Sequence, residues 1–154
     1  MKTPRDEEFD DFVEATEPRL HRALVAKLGW ERGREATAEA LAYAWEHWTR
    51  VAAMDNPAGY LYRVGTSRVR QRKQGALLGQ GHDDEIWFEP SLAQCLSSMP
   101  ERQRIAVVLV HGFGWSSSEV AEVTGLKPTT VQTHLERGLA NLRRQLKVEG
   151  GDRA

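Results

Sequence analysis

Ser116-Ser117-Ser118-Glu119-Val120-Ala121-Glu122-Val123-Thr124-Gly125-Leu126-Lys127-Pro128-Thr129-Thr130-Val131 is the stretch that decides the fold. Ser116 and Glu119 stand three apart, so the hydroxyl can accept from a free backbone N–H at a helix start while the carboxylate reaches back. Val120, Ala121 and Val123 give the short helix that follows an apolar inner face. Gly125 then sits where the tight turn between two helices needs positive φ, and Leu126 can plug the angle between them. Pro128 suits the first turn of the next helix, where its missing N–H costs nothing. That helix carries Val131, Leu135, Leu139, Leu142 and Leu146 on one stripe and leaves Thr130, Gln132, Thr133, His134 and Arg137 around its exposed N-terminal half. The pattern is a helix-turn-helix. Short or planar hydrogen-bonding side chains on its second helix are of the kind that reach base edges in a DNA major groove, with positive charge nearby for phosphates.

Working outward, Pro100-Glu101-Arg102-Gln103-Arg104 opens an apolar helix, Ile105 to Val110, which is expected to stop at a left-handed Gly112. Before it lies Gln74 to Ser91, Gly-rich and carrying the acidic run Asp83-Asp84-Glu85 with Glu89. This stretch reads as a linker, and its Trp87 and Phe88 are expected to pack on a module or a partner. The amino-terminal part reads as a bundle of helices. Phe9, Phe12, Val13, Leu20, Leu24 and Leu28 share one face with Pro18 at a kink or restart, and Leu41, Ala44, Trp45 and Trp48 form a second stripe. Both tryptophans are expected in the core. A loop, Thr49 to Asn56, leads to a third helix with Leu61, Val64 and the stem of Arg68 inward and Arg63, Arg70 and Arg72 outward. Tyr60 and Tyr62 are two apart and cannot share a face, so at least one is structural. The expected architecture is all-α: two small helical domains, residues 5–74 and 92–148, joined by a linker at 75–91, the second containing the helix-turn-helix.

Composition narrows the function. The chain has 154 residues, 40% hydrophobic and 28% charged, with a formal net charge of −1 that hides segregated charge. Met1 to Glu17 holds two basic residues against seven acidic ones, and this acidic start reads as a solvated, frayed helix end with a minority role in covering a basic patch. Arg63 to Lys73 holds five basic residues and no acid, and Lys127 to Lys147 five against the single Glu136. Such patches fit nucleic acid. No apolar run approaches the roughly 20 residues that cross a bilayer, and the start lacks a secretory apolar core, so a cytoplasmic protein without membrane insertion is expected. Cys95 is alone, and His21, His47, His82 and His111 show no ligand spacing, so neither a disulfide nor a metal or other cofactor is expected. Nothing resembles a catalytic triad or a phosphate-cradling loop, so an enzyme is not expected.

Met99 to Arg104, Trp115 to Gly125 and Thr130-Val131 to Leu146 together resemble the promoter −35 reading domain of bacterial RNA polymerase sigma factors. Glu17-Pro18-Arg19-Leu20, Ala40 to Trp45 and Asn56-Pro57-Ala58-Gly59-Tyr60-Leu61-Tyr62-Arg63-Val64 are similar to the core-binding and −10 reading domain of the extracytoplasmic-function group of the sigma-70 family. The resemblance spans about residues 5–147. It implies a non-enzymatic initiation factor that binds the β′ clamp and β flap of core polymerase and directs promoter-specific transcription. By the resemblance, Glu35 and Glu39 meet the polymerase, and the Thr49–Asn56 loop faces a flipped base. Arg63, Ser67, Arg68 and Arg70 then meet the −10 strand or adjacent phosphates, and Tyr60 and Tyr62 are stacking candidates. Thr130, Gln132, Thr133, His134 and Arg137 read the −35 element, and an anti-sigma protein is a possible partner. Ala38 stands where the family has Gln, and Gly65 and Ser67 where it more often has Ala and Asn. A rival reading is a sigma-like DNA-binding regulator or co-sigma subunit that does not engage core polymerase on its own.

Overall fold

In the computed structural model, residues 1–69 and 88–151 are described, with side chains through residue 147. All regular structure among them is helical, and the chain divides into two compact units. In the first, α1 (Pro4–Leu28), α2 (Trp30–Glu46) and α4 (Pro57–Val69) pack on one another, and a short α3 (Trp48–Ala52) continues from α2. In the second, α8 (Pro128–Gly151) packs against α6 (Glu101–Val107) and α5 (Pro90–Ser98), while α7 (Ser117–Thr124) is the first helix of the helix-turn-helix.

The first unit closes on Leu20, Leu24, Val51 and Leu61, all fully buried, with Ala36, Ala40 and Ala44 as the small residues of α2 between them. Each large aliphatic side chain there contributes on the order of 1.5–3 kcal/mol by leaving water. Small residues let the helices come close. A Cβ on Gly65 of α4 would lie 2.9 Å from the Ala36 carbonyl oxygen and 3.1 Å from a Leu24 methyl. Gly65 is thus a point of close approach of α4 to α2.

Four expectations change. α1 does not restart: it runs through Pro18 without a break. Its acidic start is not frayed, because Thr3 caps it. Thr3 Oγ1 accepts from the Asp6 N–H at 3.2 Å, the Asp6 carboxylate accepts from the Thr3 N–H at 2.8 Å, and Lys2 pairs with Asp10 at 2.7 Å. The Thr3 N–H in turn holds the Asp6 carboxyl below its usual range. The Thr49–Asn56 loop is shorter than its sequence suggests, since α3 occupies it through Ala52. Finally, Trp48 is buried but Trp45 is 38% exposed. Trp45 sits at the margin of an aromatic group, its ring 5.0 Å from Phe9, with the Arg5 guanidinium 4.6 Å above it and donating to its carbonyl at 2.8 Å. A helical stripe carries no information on where the covering helix ends, and α1 covers only one side of this ring.

The second unit buries Leu96, Val108, Leu109, Val120 and Val131. Cys95 is a free buried thiol in α5, as its isolation suggested. α5 begins at Pro90, inside the stretch read as linker, with the Glu89 carboxylate accepting from the Ser91 and Leu92 N–H groups. Residues 74–87, Trp87 included, lie outside the described residues, and Phe88 is half-buried. α6 does not end in an ordinary stop. It widens into a π-helical turn, Val108–Gly112, and the left-handed residue beyond it is Gly114 (φ 77°) rather than Gly112. The wider turn takes one more residue per hydrogen-bonded ring, which carries the reversal past Gly112.

Candidate nucleic-acid interface

The helix-turn-helix forms as its sequence dictates. Glu119 N–H donates to Ser116 Oγ and the Ser116 N–H to the Glu119 carboxylate, both at 3.1 Å, and Gly125 turns at φ 80°. Val120, Ala121 and Val123 face inward, as do Val131, Leu135 and Leu142 of α8, while Leu146 at the far end is 40% exposed. A Cβ on Gly138 would meet a Val107 methyl at 2.7 Å, so α6 and α8 approach closely one turn beyond His134.

The outer face of α8 presents Gln132, Thr133 and Arg137 to solvent, with Thr130 and His134 half-exposed. They are not equally free. Thr133 spends its hydroxyl on the Thr129 carbonyl at 3.1 Å, leaving its methyl outward. Gln132 accepts from Ser117 Oγ at 3.1 Å and reaches Glu136 at 3.5 Å, so its amide is oriented before any ligand arrives. Burial, followed by the charges of Arg102 and Arg137, lowers the His134 pKa below its ordinary value. It is a neutral imidazole at pH 7, able to donate and accept at a base edge. Arg102, which composition alone did not single out, joins this face from the first turn of α6.

The first unit holds a second cationic face on α2, α3 and α4. The Tyr43 and Tyr60 hydroxyls bond each other at 2.9 Å, and Arg50 Nη2 donates to both, at 2.6 Å to Tyr60. His47 stacks on Tyr43 with centroids 4.2 Å apart. The Arg63 guanidinium lies 6.0 Å from the Tyr60 centroid and that of Arg68 5.6 Å from Tyr43. Hydrogen bonding between the phenols splits them: Tyr60, which also takes an Arg50 N–H, is held below the usual phenol range, and Tyr43 above it. Half-buried phenols backed by guanidinium groups suit unpaired bases and phosphates.

Of the residues singled out from the sequence, Tyr60, Arg63 and Arg68 come together here, and exposed Ser67 follows on α4. Arg68 is solvent-exposed rather than inward, paired with Glu39 at 3.6 Å. Glu39 is thus drawn to the same cluster, while Glu35 is half-buried one turn earlier. Tyr62 is the structural member of the tyrosine pair, 5% exposed. Arg70 lies outside the described residues. Tyr43 and Arg50 were missed, although Tyr43, His47 and Arg50 recur at i, i+4 and i+7, a stripe that becomes visible only once Tyr60 is seen to complete it. Among the described residues no group of three His, Cys, Asp or Glu side chains could hold a metal ion, and no helix is long and apolar enough to cross a membrane.

Residues 90–142 match the family model of sigma-70 region 4. The carboxy-terminal part of the chain is thus similar to sigma-70 region 4. The fold of the whole agrees: it superposes on the sigma factor RpoE from Bartonella quintana, solved in complex with the anti-sigma factor NepR, with a TM-score of 0.65 at 16% identity, over 92% of this chain and 98% of that one. It also superposes on CnrH, solved in complex with the cytosolic domain of CnrY, with a TM-score of 0.60 at 21% identity, over 91% of this chain and 88% of that one. No curated protein sequence matches the chain. The helix-turn-helix therefore lies within the region 4 match, and the amino-terminal unit shares the fold of the corresponding part of the two solved structures.

Proposed function

We propose that the chain is a sigma factor of the extracytoplasmic-function type, which binds core RNA polymerase and directs it to promoters without chemistry of its own. The observation that carries this is the order of parts: a helical unit with an aromatic and cationic outer face, followed by a region 4 helix-turn-helix. Support for a factor spanning both promoter elements comes from the breadth of the structural likeness, more than nine-tenths of this chain.

In this reading the domains are 5–74 and 92–148 with the linker 75–91 between them. Gln132, Thr133 and His134 meet bases of the −35 element from the major groove, with Thr130 at the helix start and Arg137 on a phosphate. Tyr60, Arg63, Ser67, Arg68 and Arg70 engage the −10 strand, where stacking of an unpaired base contributes about 1–3 kcal/mol and phosphates add salt-dependent affinity. Glu35 and Glu39 meet the polymerase clamp. An anti-sigma protein is the natural inhibitor, by analogy with the complex of RpoE with the anti-sigma factor NepR. Polymerase, promoter and factor then meet in the cytoplasm.

A second reading is favoured by one observation: Ala38 replaces the family's Gln, and the neighbouring Glu39 already has Arg68 as a partner. A sigma-derived regulator would then bind DNA without core polymerase. Titration of the full chain against core polymerase, with size exclusion and run-off transcription from selected promoters, separates the two. A stable complex that initiates transcription supports the first reading, and DNA binding with no complex supports the second.

A further inference from the structure

The three arginines of the amino-terminal face do different work. Arg68 faces Glu39 at 3.6 Å. Arg50 directs one nitrogen at both phenol oxygens, reaching Tyr60 at 2.6 Å. Arg63 has neither an ion pair nor a hydrogen bond among the described residues and lies over the Tyr60 ring. A guanidinium has five N–H donors in a rigid fork, so one that spends a nitrogen on two hydroxyls fixes both in place. Without it, two half-buried phenols would be joined by one hydrogen bond only and would keep more of their freedom about χ1 and χ2.

We propose that Arg50 is a positioning residue for strand binding: directly and through Tyr43 it holds the Tyr60 ring ready to stack on an unpaired base, leaving Arg63 to meet the phosphate. This rests on the strand-binding reading above and adds to it a division of labour between two arginines that charge alone would not distinguish. Preorganisation of this kind strengthens binding by removing the entropy cost of fixing the ring on contact.

The test uses the full chain assembled with core polymerase and fluorescein-labelled single-stranded oligonucleotides, with affinity measured across a range of salt. Arg63→Ala lowers the steepness of the log–log salt dependence by about 0.7, the loss of one single-strand phosphate contact. Arg50→Ala weakens binding on the order of ten-fold with the salt dependence unchanged. Tyr43→Phe, which removes only the intermediary hydroxyl, gives a loss in the same direction, and Arg50→Lys restores part of the affinity. The free chain supplies a second readout that needs no polymerase. It has three tyrosines, and ultraviolet titration shows the most acidic phenol moving up in both Arg50→Ala and Tyr43→Phe.

Loss of salt dependence in Arg50→Ala to match Arg63→Ala would make Arg50 a phosphate contact and overturn the proposal. So would unchanged affinity, or an unmoved phenol titration. A chain that initiates transcription normally while Arg50→Ala is silent in all three readouts keeps the sigma reading and loses this inference. A wild-type chain that forms no polymerase complex removes the reading beneath it, and the phenol titration then decides whether Arg50 holds the pair.

Discussion

The two cationic faces are built on opposite plans. On the amino-terminal face, Tyr43, Tyr60 and Arg50 are bound to one another, so the surface is fixed before a ligand comes and offers π-faces and charge, which every base and phosphate can use. On α8 the outward side chains are bound weakly or to their own helix, and what they expose is hydrogen-bonding edges. Gln132 is held by contacts of 3.1 and 3.5 Å that a base could replace. A rigid aromatic face suits a strand already opened. An adjustable polar face suits reading sequence in a closed duplex, where each good bidentate pair discriminates by about 1–3 kcal/mol.

The largest effect should come from breaking the frame of the first face rather than its surface. Gly65→Val drives a branched side chain against the Ala36 carbonyl and Leu24, and overpacking of this kind costs about 1–3 kcal/mol or more. Thermal unfolding of the first unit should fall by several degrees, at roughly 4–8 °C per kcal/mol for a unit of this size. Strand binding should weaken with it while duplex binding through α8 persists. Equal loss at both faces would show that they are not independent.

Next in size, Gln132→Ala and His134→Ala should change which −35 base is preferred, by about 1–3 kcal/mol at that position in a binding-site selection. Arg137→Ala should weaken binding evenly across sequences and lower the duplex salt slope by about one. An unaltered preference in the first pair, or an altered one in the last, would erase the contrast between reading and anchoring on α8.

The smallest effect concerns pH. The His134 pKa is lowered in the folded chain, chiefly by burial. Between that lowered value and the ordinary imidazole range, the unfolded chain binds the extra proton and the folded chain does not. Stability from this residue is therefore present above about pH 6.5 and is lost as pH falls through that window. His134→Gln should flatten this part of the stability profile measured by denaturant unfolding, and leave it flat above neutrality.

Much of this was legible in the chain. Ser116, Glu119, Gly125 and Pro128 act through bonds within a few residues of themselves, so local chemistry fixed the helix-turn-helix, and the spacing of Val131, Leu135 and Leu142 named the buried side of α8. The same reasoning found Arg63 and Arg68 by their lack of acidic neighbours and put Tyr60 and Tyr62 on different faces, without saying which of the two is structural. It missed Tyr43 and Arg50, and it placed Trp45 in the core and the stop of α6 at Gly112. Each miss turns on something a one-dimensional pattern does not carry. Which rim of a stripe is covered depends on where a distant helix ends, as Phe9 and Arg5 show for Trp45. A π turn shifts the reversal after α6 without altering its apolar run. Sequence determined the helices, the cap, the turn and the segregation of charge, because those follow from neighbours along the chain. Only the tertiary structure decided that Tyr43 and Tyr60, seventeen residues apart, share a hydrogen bond under one arginine, because that meeting depends on how closely Gly65 lets α4 approach α2.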